Sequence, residues 1–440
     1  MLGPMKKYQV SPRSLCRNRW IRFFSASLGV AGLIPPAQGQ EQTTRDSLAG
    51  EKAAESKKMG EVPAGYNMHV GPIGFSIQPG LRADLNDNIY WTEKDRQSDL
   101  ILKPELKINA LWPITDLNSL SLSLGLGYEY YVRHDALNSD NLLISPDTDL
   151  VFNLYTGDFH FKFHESFSYQ ESLTYYRGAN QFINLANVAK FGRYDNRIGV
   201  SADWDLNDLI FNFGFDHENF WVNTSTSPQY SYLDHATEFF WANATFVLSP
   251  TFKAGLETHA SLTHYDRQIT LGDQWRFGAG PFVDVAFSSN LQLRLGAGFE
   301  TIQADSTPFT PSTSDSTYYA YAHLNHKINQ SITHSIAVGH ENQTGYNAAN
   351  LEMTYIRHNA TWKVFRKVDL STHVGFYSAE ESGGSYKEKY NYLQAGLDLG
   401  YQLTQRCRTS ASYNYTDKES DTPGLSYYQN LLTLGITCRF

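Results

Sequence analysis

From Ile73 to Phe440 the chain repeats one unit. Apolar residues alternate with small or polar ones over about ten positions, a connection of roughly two to six residues follows, a second alternating stretch returns, and a longer polar connection ends the unit. Successive side chains of a strand point to opposite faces, so each alternating stretch reads as a strand with one apolar face. Ser119–Val132 shows the pattern best: Leu120, Leu122, Leu124, Leu126, Tyr128, Tyr130 and Val132 share one face, and Ser119, Ser121, Ser123, Gly125, Gly127, Glu129 and Tyr131 the other. Phe159–Tyr169 and Leu291–Phe299 repeat it. Eight short connections, among them Gly157-Asp158, Asn329-Gln330 and Thr404-Gln405, alternate with nine long ones, which implies 18 strands.

An even number of strands with short turns on one side and long loops on the other is the layout of a transmembrane β-barrel. Closure pairs every backbone group, as lipid requires. The expected fold is therefore all-β: an antiparallel transmembrane barrel of about 18 strands, with short periplasmic turns and longer extracellular loops. A soluble propeller or sandwich would bury its apolar faces and would lack the regular short–long alternation. Composition agrees: 28 Tyr, 26 Phe and 8 Trp in 440 residues are strand-favouring side chains. Trp112, Trp204 and Trp362 fall at strand ends beside short turns and Trp275 at a loop-side start, as an aromatic girdle would place them; Trp241 falls mid-strand. After position 40 no run of about 18 apolar residues occurs, which excludes a helical multispan protein.

Residues 1–39 read as a secretory signal peptide, with six basic residues, no acidic ones, an apolar stretch Phe23–Ile34, and small residues at Ala37 and Gly39 before the cleavage point. Residues 40–66 form a polar periplasmic tail and 67–440 the barrel. Loss of the six basic residues takes the formal charge from −9 to −15. Acidity argues against a nucleic-acid partner.

The last strand ends with Leu432, Leu434, Ile436, Cys438 and Phe440 on one face. A terminal Phe on an amphipathic final strand resembles the C-terminal signature of bacterial outer-membrane proteins, carried here by Phe440, Ile436 and Leu434. That resemblance implies outer-membrane lipid and the barrel-assembly machinery as partners, and the bacterial outer membrane as the location. Cys407 and Cys438 flank a polar loop at matching positions of one hairpin, so they face each other as either a cross-strand disulfide or two lipid-facing thiols.

No catalytic motif is legible: there is no G-x-S-x-G, H-E-x-x-H or phosphate-binding loop, and outward His334 and His358 lack a paired Ser. The chain is expected not to be an enzyme and to need no cofactor or metal. The inward phase instead collects Glu129, His160, Lys162, His164, Lys253, Glu257, His259, Arg276, Arg294, His323 and Lys327. Charges on the lipid face would cost a few kcal/mol each, whereas a wet lumen tolerates them and uses them for selectivity. His160, His164, His259 and His323 are read as hydrated pore-lining groups rather than metal ligands. The loop Glu171–Phe191, with Tyr, Arg and amide groups, is a candidate inward constriction.

The segment Asn86-Asp87-Asn88-Ile89-Tyr90, followed by Ser98-Asp99-Leu100-Ile101-Leu102-Lys103-Pro104-Glu105-Leu106, is similar to the opening of an outer-membrane β-barrel porin family associated with bacterial exopolysaccharide loci. The resemblance rests on about 35 residues within Phe75–Leu111 and implies an outer-membrane barrel, with polysaccharide export as one role. The functional expectation is a porin-like channel passing small hydrophilic solutes or saccharides. The alternatives are a closed structural or surface-interaction barrel and an exopolysaccharide export component. A homo-oligomer fits a porin, many of which are trimers.

Overall fold

The computed structural model describes residues 65–171, 190–345, 348–383 and 387–440. Its strands are β1 (Met68–Val70), β2 (Ile73–Asn86), β3 (Asp99–Thr115), β4 (Asn118–Gly127), β5 (Tyr130–Tyr131), β6 (Leu143–Ile144), β7 (Asp149–Thr156), β8 (Phe159–Gln170), β9 (Arg193–Asp205), β10 (Leu209–Val222) and β11 (His235–Ser249). They continue as β12 (Phe252–Tyr265), β13 (Gln274–Ser288), β14 (Leu291–Ala304), β15 (Thr313–Lys327), β16 (Ile332–Gln343), β17 (Asn350–Phe365), β18 (Val368–Ser382), β19 (Glu388–Gln402), β20 (Cys407–Ser420) and β21 (Tyr427–Cys438). Three are short annexes, β1, β5 and β6; the other 18 pair antiparallel in chain order.

The ring closes where β2 meets β21, from Gly80↔Thr437 to Asn86↔Leu431. Phe440 extends the seam: its N–H donates to the Ile77 carbonyl at 2.8 Å, and the Ile77 N–H donates back at 3.1 Å. The result is a closed 18-strand antiparallel barrel, the fold expected from the alternation.

One expected strand is interrupted. Ser119–Val132 is not continuous: β4 stops at Gly127, and pairing with β3 resumes at Tyr130↔Leu102. The residue opposite the gap is Pro104, which has no N–H to give, so only the Tyr128 N–H to Pro104 carbonyl bond remains, at 3.2 Å. The register carries through the gap, and Glu129 keeps its inward phase opposite Lys103.

The outer surface is apolar. Phe299 is 81% exposed and Leu256 61%, exposures that suit lipid and not water. On the short-turn side Trp112 and Trp362 stand outward, and Trp204 packs between Phe159 (5.2 Å, stacked) and Phe211 (5.7 Å, tilted). On the loop side the outward aromatics include Trp221, Trp275, Tyr318 and Tyr428. Trp241 differs: it lies on the lumen phase of β11, against Gly214. The strands are longer than an apolar band needs. The 15 residues of β11, at about 3.3 Å rise and about 40° tilt, climb roughly 38 Å, against about 25 Å of lipid-facing band. The surplus lies on the loop side, where the outward face turns polar: His217–Glu238 at 2.7 Å, Asn196 to Glu165 at 3.3 Å, His340–Thr354 at 2.8 Å.

Candidate functional site: the barrel lumen

The inward phase of the strands brings ionisable groups together in three clusters. On β2 and β3, Lys103 lies between Asp84 and Glu129, 2.9 Å from each, with all three side chains at most 5% exposed. Arg82 pairs with Glu105 on the same walls. On β7–β10, the His160 ring sits between Asp203 (3.2 Å) and Asn153 (3.1 Å) and stacks on Tyr155 at 4.1 Å. Asn212 donates to Asp203 at 2.7 Å, and His164 meets Asp216 at 2.7 Å. Lys162 lies between the two histidines on the same face.

The third cluster spans β12–β15. Glu257 accepts from the Tyr321 hydroxyl (2.8 Å) and from Arg294 (3.4 Å); Arg294 also reaches Asp284 (3.5 Å) and lies over the Phe282 ring at 4.2 Å. His259 meets Glu300 at 3.4 Å. Lys253 faces Asp284 across the β12–β13 ladder. His323 packs on Tyr321 at 5.1 Å, and Lys327 is exposed at the short-turn end of β15. Opposite charges thus interleave around the wall and pair within each cluster.

Arg276 sits higher, at the loop-side end of β13. It donates to the carbonyls of Gln343 (2.6 Å) and Ala349 (3.0 Å), so it fastens the β16–β17 loop over the lumen instead of lining an open bore. Inward loops dominate this mouth. Phe191, Leu233 and Leu271 come from connections and pack with Phe220, Val222 and Tyr265, which face inward from β10 and β12; none exceeds 5% exposure. Trp91, from the β2–β3 connection, packs against this cluster from the far wall and stacks on Tyr427 at 5.8 Å. Its φ of 52° is a left-handed conformation that a bulky residue seldom adopts, and such strain concentrates at functional positions.

The β2–β3 loop is held by Asn88, which is fully buried. Its amide nitrogen donates to the carbonyls of Thr92 and Tyr428, both at 2.9 Å, and Gln429 donates to its carbonyl at 2.8 Å. In the β10–β11 loop Asp234 accepts the Val222 N–H at 2.7 Å, and burial pushes its carboxyl up from the usual range. A second buried group, Leu351, Met353, Tyr355, Tyr377, Ala379, Tyr390 and Tyr392, fills the lumen side of β17–β19 at the same end. Of the expected constriction Glu171–Phe191, residues 172–189 lie outside the described residues; its two ends join through the Phe191 N–H and the Glu171 carbonyl at 2.6 Å.

At the closing seam Ile436 and Leu434 point outward, 40% and 52% exposed, opposite Leu81 and Ala83. Cys407 and Cys438 pair directly across β20–β21, with Cα atoms 4.1 Å apart, and form a disulfide on the outer face near the short-turn rim. Among the described residues no group of three or more His, Cys, Asp or Glu is arranged to hold a metal ion.

Several lumen partners were not singled out from the sequence. Lys103, Asp84, Asp203, Asp216 and Tyr321 all stand in the inward phase of their strands, which is the signal that places them. Nothing local marks Trp91, Leu233 or Leu271, whose inward course depends on loop packing.

No protein-family model matches the sequence, and no curated protein matches it. Solved structures do resemble the barrel. A BenF-like porin from Pseudomonas fluorescens Pf-5 is similar at a TM-score of 0.50 and 8% identity, over 84% of this chain and all (100%) of that one. OccK2 (OpdF) of Pseudomonas aeruginosa, in complex with glucuronate, aligns at 0.48 and 9% identity over 86% of this chain and 100% of its own. OpdK of Pseudomonas aeruginosa with vanillate aligns at 0.47 and 9% over 83% and 99%. At these identities the likeness is one of fold: the chain has the barrel architecture of outer-membrane porins.

Proposed function

We propose that the chain is an outer-membrane channel for passive passage of small hydrophilic solutes, saccharides among them. The observation that carries this reading is the contrast between the two faces of the wall. The outer face is apolar through the membrane band, while the inner face holds interleaved charges, histidines and amides from Arg82 and Lys103 round to Arg294 and Glu257. Paired charges on the inner wall, set against an apolar outer one, suit a barrel whose interior borders water. In this reading the mouth loops set the exclusion size, and Trp91 with the Phe191–Leu233–Leu271 cluster stands among them.

Reconstitution in a planar bilayer tests the proposal through conductance and reversal potential in a salt gradient. A second reading, a barrel sealed by its own loops, is favoured by the fully buried apolar cluster at the mouth. The two separate on whether wild-type protein conducts. Export of a polysaccharide is a narrower form of the channel reading. It rests on the resemblance of the Asn86–Leu106 segment, and a requirement of the protein for surface polysaccharide in its native host tests it.

A further inference from the structure

One tryptophan stands apart from the girdles. Trp241 sits mid-strand on the lumen phase of β11 and is partly exposed there. At its level the wall is one ladder row: Ser201, Gly214, Trp241, His259, Gly278 and Glu300 are successive partners from β9 to β14. Glycine in a strand marks a place where another group comes close, and both glycines of this row are covered by rings. A Cβ built at Gly214 would lie 2.6 Å from Trp241 Cε2 and 2.7 Å from its Cζ2 and Nε1. Three ring atoms at nearly one distance put that Cβ over the face of the indole, not beyond its edge. The ring therefore lies down across Gly214, with one face on the wall and the other toward the lumen. On the other side of β12 the His259 ring covers Gly278.

Partly exposed polar groups border the indole. Ser201 on β9 and His259 on β12 share its row, and His164 on β8 stands one row nearer the loops. One row toward the short turns Asn212 opposes Asn243, and Asn212 Oδ1 has no hydrogen-bond partner among the described residues, which leaves an acceptor beside the ring. Three carboxylates, Asp203, Asp216 and Glu300, each face a histidine near this level, against one lysine, Lys162. That balance disfavours an acidic solute. A flat aromatic face suits an apolar partner, and hydroxyl, amide and imidazole groups at its border suit hydroxyls. A pyranose ring offers both, with C–H groups on its face and hydroxyls round its edge.

We infer that Trp241 is a stacking platform for a neutral sugar ring inside the lumen, framed by Ser201, His164 and His259. The inference deepens the saccharide reading of the lumen and rests on it.

The test titrates two neutral probes, maltotriose and cellotriose, against the full mature chain in detergent micelles, read by saturation-transfer NMR. Saturable binding is expected, with saturation strongest at the C–H protons of one ring face. An aromatic contact of this kind is worth roughly tenfold in affinity, so Trp241→Ala weakens binding about tenfold, whereas Trp241→Phe keeps most of it. Gly214→Ala keeps the indole but lifts it from the wall, since a methyl group there cannot coexist with the flat ring, and it weakens binding comparably. Trp275→Ala, which removes an outward ring, leaves binding unchanged. Heat-dependent gel mobility confirms that each variant is folded. Unchanged affinity in Trp241→Ala or in Gly214→Ala overturns the inference. So does the absence of saturable binding of either probe by wild type, or tighter binding of the acidic trigalacturonate than of both. A barrel that is silent in a bilayer yet binds these probes through Trp241 would reject the channel and leave this site standing; a conducting barrel that binds neither rejects the site alone.

Discussion

Lys103 is where the lumen's electrostatics can be weighed most directly. Its ammonium is the shared cation of Asp84 and Glu129, 2.9 Å from each, and the three side chains are 3%, 5% and 4% exposed. At an effective dielectric of about 20, a pair at this distance attracts by roughly 5–6 kcal/mol before desolvation is subtracted. Removing one partner of a buried pair measures about 3–5 kcal/mol, because a carboxylate is left buried without its counter-charge. Lys103→Met therefore lowers stability by about 3–5 kcal/mol, a factor of roughly 10² to 10³·⁵ in the folding equilibrium. Adding Asp84→Asn and Glu129→Gln to it recovers most of that loss, since no charge then stays buried. The assay is reversible urea unfolding in phospholipid vesicles, followed by Trp fluorescence. If Lys103→Met costs less than about 1 kcal/mol, the cluster is solvated and exchangeable, and the tight-walled picture of β2–β4 is wrong.

Other consequences follow from the same geometry. Leu256→Arg puts a charge on the lipid face of β12 and destabilises by about 2–4 kcal/mol in urea titrations in vesicles; a neutral result would mean the strand phase is inverted. Trp91→Gly suits the φ of 52° but loses the ring's packing on the mouth cluster and on Tyr427, so single-channel conductance rises while the urea midpoint falls modestly. Reducing the Cys407–Cys438 bond, which closes a segment with sequence separation 31, lowers stability by about 3–4 kcal/mol, read as an earlier urea midpoint under reductant.

The barrel was legible in the sequence because two periodicities agree. Alternation along Phe159–Tyr169 assigns each side chain a face, and the short–long order of connections assigns each strand a direction and a neighbour. Pairing was less legible. Lys103 shows its face by phase alone, but that it meets Glu129 follows from a register carried across the gap at Pro104. Arg276 shows the limit more sharply: its phase is inward, yet its partners are carbonyls of a loop three strands away. Little of the mouth was legible beyond the connection that ends at Phe191. Trp91, Leu233 and Leu271 sit in polar connections with no periodic signal, and only the curvature of the closed ring brings them together.

We propose that the polar lumen is a passage with Trp91 and its neighbours at its mouth. Single-channel recording of wild type and Trp91→Gly in the same bilayer tests it. Steady conductance is expected for wild type and a larger one for the variant. Correctly inserted barrels that are silent in both forms would contradict it.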